Sequence, residues 1–180
     1  MKKKLYLPVE FLIRELDSKL LIAVKLLIES ENDWEIFIGN NKKISKYIHN
    51  KNKTPFIWLD KGIEIDDSKL RKIIHNNGRA ILLDEEGGVF TKNHSKFPRT
   101  REKLNNTANY YDKIFLWGKK RHDDWINKLP NFEKSKLFVT GNPRFDLSKI
   151  KFKDYFIKIN KDLPNENYTI ISTAFGSANR

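Results

Sequence analysis

Short apolar runs alternate with amphipathic segments along most of the chain. The runs are rich in Ile, Leu and Phe and do not alternate strictly between polar and apolar residues, a pattern typical of β-strands that are buried on both faces. We predict six strands, at residues 4–8, 34–39, 55–60, 79–84, 112–118 and 136–141.

The segments between these runs repeat their apolar residues with the 3.6-residue period of a helix. In the segment 14–30 we expect one face to be buried, formed by Leu16, Leu20, Ala23, Val24 and Leu27. Further helices are predicted at 42–50, 66–78, 99–111 and 119–130. We expect Asp66 or Asp67 to cap the helix 66–78 and Gly78 to end it.

Strands and helices therefore follow each other at the spacing of right-handed strand–helix–strand units. Such units build a parallel sheet that is covered by helices on both faces. The sequence predicts a doubly wound, Rossmann-like α/β domain. In a domain of this kind ligands bind outside the carboxyl ends of the strands, so the residues that follow each strand are the candidates for a site.

Charged, glycine-rich and turn-forming residues follow several of the predicted strands. Glu10, Arg14 and Glu15 follow the first strand, and Gly118 and Lys119 follow the fifth. The segments DEEGG (84–88) and GNPRFD (141–146) follow the fourth and sixth strands. The opposite edge of the sheet is merely polar, so we expect the site at the carboxyl edge.

The segment DEEGG offers two interpretations. One carboxylate of Asp84, Glu85 and Glu86 could have a raised pKa and transfer protons, while Gly87 and Gly88 let the backbone approach a ligand. The alternative is an acidic loop that only solvates its own charges. Without a nearby His or Cys, the segment does not call for a metal, and we predict none.

The segment GNPRFD also has two interpretations. Asn-Pro is good turn chemistry, and Asp146 could cap the next segment or pair with Arg144. In the functional alternative, Gly141 and Asn142 allow a tight backbone path and Arg144 offers its planar guanidinium to a phosphate or carboxylate. The chain has no Walker loop and no GxGxxG motif, so an ordinary nucleotide site is not expected.

Composition limits the class of protein. The chain has 180 residues, enough for one domain with a core, and a formal net charge of +12. Its lysines are scattered along the chain rather than clustered, so we expect attraction to phosphorylated substrates or an anionic membrane surface and no specific nucleic acid partner. No cysteine is present, which favours the reducing cytoplasm, and the longest apolar run is too short to span a membrane.

Five segments, in this order along the chain, together resemble the bacterial surface carbohydrate (polysaccharide) biosynthesis proteins. They are LYLPVEFLIRELDSKLLIA, LLDEEGG, FLWG, VTGNPRFDL and IISTAFGSAN. These proteins are similar to GT-B glycosyltransferases and, more distantly, to the glycerophosphotransferases that polymerise teichoic acid. The resemblance implies two Rossmann-like domains that face each other across a cleft, with the acceptor bound by the N-terminal one.

The resemblance implies a division at residue 163, with an acceptor-side domain at 1–163 and the start of a donor-side domain at 164–180. We therefore expect little transferase activity from the chain alone, and a partner chain that supplies the second domain. The substrates implied are a sugar nucleotide and a glycan or lipid-linked acceptor, with no cofactor, at the cytoplasmic face of the membrane.

The resemblance also implies roles for residues of the loops. Glu86 is the first candidate for the base that activates the acceptor hydroxyl, followed by Glu85 and Glu10. Substrate-binding roles fall to Arg144, which would contact a charged group, and to Asn142, Asp146, Gly141, Gly87 and Arg14. Asp146 is expected to hold Arg144 in place. Two alternatives stay open: a non-catalytic subunit that binds a glycan acceptor, and a phosphotransferase that acts on a CDP-alcohol.

Overall fold

The computed structural model describes residues 2–31, 33–48, 54–63, 66–85, 107–129 and 131–159. The chain divides between Leu147 and Ser148 into two compact units. The first unit contains the sheet and its helices. The second has a turn of 3₁₀-helix at Ile150–Phe152, followed by the helix α6 at Lys153–Ile159. The domain boundary predicted at residue 163 lies outside the described residues and stays a prediction.

The first unit is built on a sheet of six parallel strands in the order β2-β1-β3-β4-β5-β6. The strands are β1 (Lys3–Val9), β2 (Trp34–Asn40), β3 (Phe56–Asp60), β4 (Gly78–Leu83), β5 (Tyr111–Leu116) and β6 (Leu137–Val139). All five strand pairings are parallel, which confirms the predicted doubly wound α/β fold. The first five strands have the order of flavodoxin-like sheets, in which the direction of winding reverses between β1 and β3.

Helices connect the strands and lie on both faces of the sheet. The helices of the first unit are α1 (Leu12–Glu29), α2 (Asn41–Ile48), α3 (Ser68–His75), α4 (Lys119–Lys128) and α5 (Pro143–Asp146). The predicted helix 99–111 lies mostly outside the described residues, and its last residue, Tyr111, begins β5.

The larger part of the core lies on the face of the sheet that α2, α3 and α4 cover. The strands contribute Tyr6, Trp58 and Tyr111 to this core. The helices contribute Ile44, Ile48, Leu70, Ile73 and Trp125, and Leu129 follows directly after α4. The smaller core on the other face joins Leu7, Leu59 and Leu83 to Ala23 of α1. This asymmetry follows from right-handed crossovers, since the one connection that runs towards β2 places its helix on the opposite face from the connections that run towards β6.

The buried face of α1 differs from the predicted one. Leu20 and Val24 were predicted to be buried but are exposed, whereas Glu15, Ser18 and Lys19 are buried; Ala23 is buried as predicted. The helix is therefore rotated by about one residue, or roughly 100°, from the predicted orientation. The physical reason is that Glu15 and Lys19 find charged partners at the carboxyl edge of the sheet, while Ile22 and Leu26 on the same face pack against the smaller core.

The end of α3 also differs from the prediction. Gly78 does not end this helix; the helix ends at His75, Asn77 takes the left-handed conformation with φ of 65°, and Gly78 begins β4. Asn tolerates this conformation better than most residues. At the start of α3, Asp66 rather than Asp67 accepts the hydrogen bond from the backbone N–H of Ser68, at 3.0 Å.

Candidate functional site

The loops after β1, β3, β4 and β6 end at one edge of the sheet because all the strands are parallel. Each loop brings charged residues to this carboxyl edge. The backbone N–H of Glu85 donates to the carbonyl of Lys61 at 2.9 Å, so the loops after β3 and β4 are joined directly. The edge includes the place between β1 and β3 where the winding reverses, which is where doubly wound sheets bind ligands.

The first charged cluster surrounds Glu15 at the start of α1. Its carboxylate accepts hydrogen bonds from the backbone N–H of Glu10 at 2.7 Å and from the guanidinium of Arg14 at 3.0 Å. The ammonium of Lys61 lies 3.6 Å from the same carboxylate and also forms an ion pair with Glu10. Glu15 is fully buried, whereas the Glu10 side chain is half-exposed and reaches solvent.

These contacts change the charge equilibria of two groups. Burial by itself would raise the pKa of Glu15, but the Glu10 N–H, the Arg14 guanidinium and the Lys61 ammonium together lower the pKa below its ordinary value. Burial would lower the pKa of Lys61, but its hydrogen bond to Glu10 and the charges of Glu15 and Glu10 raise it. Both groups are therefore held in their charged forms.

The second charged cluster joins α1, the loop after β4 and α5. Lys19 of α1 and Glu85 form an ion pair whose side chains are 0% and 4% exposed. The other carboxylate oxygen of Glu85 lies 3.5 Å from Nη2 of Arg144, which is 34% exposed. Glu85 therefore lies between two cations that come from opposite sides of the loop.

Asp84, the residue before Glu85, is bound separately. Arg121 of α4 donates to its carboxylate at 2.7 Å, and the indole N–H of Trp117 donates to its backbone carbonyl. Both carboxylates at the end of β4 are thus neutralised by cations from other elements. At Asp84 and Glu85 the loop is therefore not a solvated acidic surface, and neither carboxylate is free.

The segment GNPRFD begins with a left-handed glycine and a helix cap. Gly141 has a φ of 79°, a conformation that glycine adopts without strain. The side chain of Asn142 accepts a hydrogen bond from the backbone N–H of Arg144 at 2.9 Å and so caps α5, in which Pro143 is the first residue. The tight backbone path expected of this segment is present.

Three polar atoms in this region have no hydrogen-bond partner within the described part of the chain. They are Oε2 of Glu85, Nδ2 of Asn142 and Nε of Arg144. Asn142 is buried, and an unsatisfied buried amide costs about 1–3 kcal/mol. Unpaired groups on neighbouring side chains are the arrangement expected of a site that is completed by a polar ligand.

An apolar cavity of about 370 Å³ adjoins the GNPRFD segment. The walls are apolar side chains of the sheet and of α1, namely Leu5, Ile22, Leu26, Trp34, Ile57, Leu59, Ile81, Leu83 and Phe115. Thr140, Gly141, Pro143 and Asp146 complete the lining. The volume falls within the range of ligand pockets.

The structure brings together most of the residues that the sequence singled out. Glu85, Asn142 and Arg144 form one group, and Glu10 and Arg14 form a neighbouring group around Glu15. Glu86 and Gly87 lie outside the described residues, so the roles predicted for them stay predictions.

The expected partner of Arg144 differs from the observed one. Arg144 forms its ion pair with Glu85 and not with Asp146. Asp146 instead lines the apolar cavity, with Gly141 and Pro143. The reason is geometric, since the loop after β4 and the segment after β6 lie at the same edge of the parallel sheet. Glu85 is therefore close to Arg144 in space although it is far from it in the sequence.

Sequence analysis missed Lys19 and Lys61. Lys19 follows Glu15 by four residues, and both share a helical face with Ile22 and Leu26. A face that combines charged and apolar residues in this way could have indicated burial at the carboxyl edge. The neighbouring face with Leu20 and Val24 is more apolar, so the sequence pattern favoured burial of that face. Lys61 directly follows β3, so reading the residue after every strand without exception would have found it.

Within the described ranges, no three or more His, Cys, Asp or Glu side chains are grouped as metal ligands would be. In the same part of the chain, no helix has the length and hydropathy that crossing a membrane requires. Comparisons with protein-family models, with curated proteins and with solved structures found no match to this chain. The resemblance to surface carbohydrate biosynthesis proteins therefore stays an expectation from the sequence.

Proposed function

We propose that this chain is the acceptor-binding, N-terminal part of a glycosyltransferase-like protein of surface polysaccharide biosynthesis. The observation that carries the proposal is the polar group of Glu85, Asn142 and Arg144, in which three buried atoms form no hydrogen bond within the described residues, beside an apolar cavity. A lipid-linked glycan has the same division, with a charged or hydroxyl-rich head and an apolar chain. A second domain, in a longer chain or a partner chain, would bind the sugar nucleotide.

The head of the acceptor would contact the polar group. The Arg144 side chain is one-third exposed, so its guanidinium can donate to a phosphate or hydroxyl without leaving Glu85. Nδ2 of Asn142 is buried, so it would donate to the ligand only after a local movement, while the side-chain oxygen caps α5. This cap holds the backbone of Arg144 in place before the ligand arrives, which reduces the entropy lost on binding.

The apolar chain of the acceptor would enter the cavity. Gly141, Pro143 and Asp146 line this cavity, so part of its lining and part of the polar group belong to the same short segment. Burial of apolar surface contributes about 25 cal/mol per Å². A lipid-linked acceptor is favoured over a free glycan because a free glycan would leave this cavity unused.

The transfer reaction needs a base for the acceptor hydroxyl. Glu85 is surrounded by Lys19 and Arg144, so we assign it the role of positioning Arg144. Glu10 has a half-exposed carboxylate at the same edge and can receive a proton from a bound hydroxyl. Glu10 is the base candidate among the described residues, and Glu86 is a second one.

A peripheral position on the inner membrane surface is part of the proposal. Phe11, Leu12 and Ile13, at the carboxyl edge, are all largely exposed, and the guanidinium of Arg14 lies over the ring of Phe11 at 4.6 Å. Exposed apolar side chains next to cations are the combination that binds anionic lipid surfaces. The net charge of +12 adds a long-range attraction to such a surface.

The binding of an acceptor analogue tests the proposal. We expect the purified chain to bind a short polyprenyl diphosphate sugar, measured by isothermal titration calorimetry, and to bind the same sugar without its lipid much more weakly. An Ile22→Phe variant, which fills the cavity, should lose the preference for the lipid form. Val24→Phe, on the exposed side of the same helix, is the matched control and should keep the preference. Equal binding of both sugars by the unmodified chain would contradict the proposal.

The enclosure of Glu85 by two cations also favours a second candidate, a non-catalytic subunit that only binds the acceptor. The two functions separate in a full-length assembly that contains the donor domain. Glu10→Gln should abolish sugar transfer and leave acceptor affinity unchanged if this domain takes part in the chemistry. Transfer at the unmodified rate by Glu10→Gln and by Glu86→Gln would favour the binding subunit.

A further inference from the structure

A second cavity lies between α2 and α3, on the other face of the sheet from the apolar one. Its volume is about 270 Å³, and its floor is formed by the buried side chains of Ile48 and Ile73. The walls are entirely polar or basic and comprise Asn41, Lys42, Ser45, Ser68, Lys69 and Lys72. The cavity therefore has an apolar base and a rim with three ammonium groups.

Part of the positive charge of this rim has no ion-pair partner among the described residues. Lys42 and Lys72 form no ion pair in the part of the chain that the structure describes. Lys69 donates to Asp60 at 2.9 Å, but the second oxygen of Asp60 also accepts from the hydroxyl of Tyr111 at 3.1 Å. Asp60 therefore neutralises Lys69 but not Lys42 or Lys72.

The acidic groups near the cavity are all engaged elsewhere. Asp66 accepts from the N–H and the hydroxyl of Ser68, and these hydrogen bonds, followed by the charges of Lys72 and Arg71, lower its pKa. Glu10 is bound to Lys61 and accepts from the amide of Asn41 at 3.4 Å. Among the described residues, the charge of Lys42 has no carboxylate partner, and that of Lys72 is balanced only in part by Asp66.

We infer that the cavity between α2 and α3 binds a phosphate monoester or diphosphate group. The ammonium groups of Lys42 and Lys72, together with the amide N–H of Asn41 that is not used by Glu10, provide donors for phosphate oxygens. The volume admits a phosphate with one small attached group, and the apolar floor suits the body of that group. This inference is independent of the proposed acceptor site, with which the cavity shares no residue.

The cavity is also well placed in the fold. Asn41 begins α2 directly after β2, and Ser68 begins α3 after the loop that follows β3. The cavity therefore opens at the carboxyl edge, above β1, which lies between β2 and β3 in the sheet. Through Asn41 and Glu10 it is connected to the charged cluster around Glu15. A phosphorylated ligand bound here would lie next to the candidate base Glu10.

Titration of the whole chain with inorganic pyrophosphate, followed by backbone amide NMR shifts, tests the inference. We expect saturable shifts of the amides of Asn41, Lys42, Ser45, Ser68 and Lys72. Lys42→Gln and Lys72→Gln should each weaken binding about tenfold, since each removes one charge-assisted contact. Lys43→Gln changes the net charge equally, on the same helix but outside the cavity, and should keep the unmodified affinity.

Two results would overturn the inference. One is shifts that do not saturate, and the other is an equal loss of affinity in Lys43→Gln, which would indicate attraction to the overall charge alone. Lys42, Lys43 and Lys72 are exposed, so the three variants are expected to fold, and their NMR spectra report this directly. The acceptor-binding titration is measured separately, so failure of either site leaves the other result intact.

Discussion

The ammonium of Lys19 and the carboxylate of Glu85, 66 residues apart in the chain, form an ion pair in which both side chains are almost completely buried. The pair fastens α1 to the loop after β4. Two charges removed from water are stable only while each has the other, because a single buried charge without a partner is strongly disfavoured.

Removing one member of this pair should therefore destabilise the protein more than removing both. We expect Lys19→Met to lower the free energy of unfolding by about 3 kcal/mol, because Glu85 is left buried without its closest cation. The double variant Lys19→Met, Glu85→Met should recover most of this loss. Urea unfolding followed by circular dichroism measures all three proteins under the same conditions.

Lys25 provides the matched control, since it lies on the same helix and pairs with Glu29 at 3.8 Å with both side chains exposed. Lys25→Met should change the free energy of unfolding by less than about 1 kcal/mol. If the double variant were less stable than Lys19→Met, the pair would not be the reason that the two charges are tolerated.

Glu15 should make stability depend on pH in the acid range. Its pKa in the folded state lies below its ordinary value of 4.5, so the folded state binds fewer protons than the unfolded state in this range. The stabilisation is complete above the unfolded pKa and is lost as the pH falls through the folded pKa. The difference in unfolding free energy between the unmodified protein and Glu15→Gln should therefore be constant near neutrality and shrink below about pH 4.5.

Lys61 should act in the opposite direction at high pH. Its pKa is raised in the folded state, so its contribution is complete below its unfolded pKa and is lost as the pH rises through the folded pKa. Lys61→Met should thus differ from the unmodified protein at pH 7 and converge with it at alkaline pH. A constant difference across the whole range would mean that Lys61 stabilises the fold by packing alone.

The sheet and its carboxyl edge could be predicted from the sequence because they depend on local patterns. Apolar runs of strand length identify the six strands, and the helical segments between them require parallel pairing. Parallel pairing then places Glu10, Glu85 and Arg144 at one edge without any knowledge of contacts. Gly141 and Asn142 were also predictable, since Gly, Asn and Pro in this order specify the turn and the cap.

The partners at this edge could not be predicted, because they depend on the rotation of α1 and on distances between loops. The apolar periodicity predicted that the face with Leu20 and Val24 is buried, because burial of a lysine such as Lys19 is unfavourable on any hydropathy scale. The ion pair with Glu85 reverses that preference, and it exists only once β4 lies beside β3. Arg144 was expected to pair with Asp146, its neighbour in the sequence, because the sequence does not show the distance between the loops after β4 and β6.

Gly78 is required by packing and not by backbone conformation. A Cβ atom at this position would lie 2.4 Å from Cζ of Phe56 and 2.8 Å from Cγ2 of Ile73. We expect Gly78→Ala to lower the free energy of unfolding by about 2 kcal/mol, as overpacked core positions do. Gly62→Ala, where a Cβ would meet no atom within 4 Å, should have little effect in the same urea titration. Equal stability of the two variants would show that Phe56 can move aside at no cost.

The exposed apolar residues at the start of α1 should determine binding to a lipid surface. Ile13 is 100% exposed at the carboxyl edge, and Ile28 is 73% exposed near the other end of the same helix. We expect Ile13→Ser to weaken co-sedimentation with phosphatidylglycerol vesicles about tenfold, since the apolar side chain no longer enters the lipid. Ile28→Ser should bind as the unmodified protein does, and equal losses in both variants would contradict a specific orientation on the membrane.

Arg144→Lys should separate ligand binding from bracing of the turn. Lysine keeps the charge next to Glu85 but lacks the planar guanidinium. We expect the free energy of unfolding to change by less than about 1 kcal/mol, because Arg144 is one-third exposed and its ion pair is weak. Affinity for the polyprenyl diphosphate sugar should fall about tenfold, because one charge-assisted hydrogen bond is lost.

Arg79→Lys is the control for the same chemical change at the opposite edge of the sheet. Arg79 is 77% exposed and lies 3.5 Å from Asp112, so it resembles Arg144 in having one weak ion pair with a carboxylate. This variant should alter neither stability nor acceptor affinity. If Arg144→Lys lowered stability and left affinity unchanged, Arg144 would be a brace for the segment after β6. The unpaired Nδ2 of Asn142 would then be the remaining donor for the acceptor.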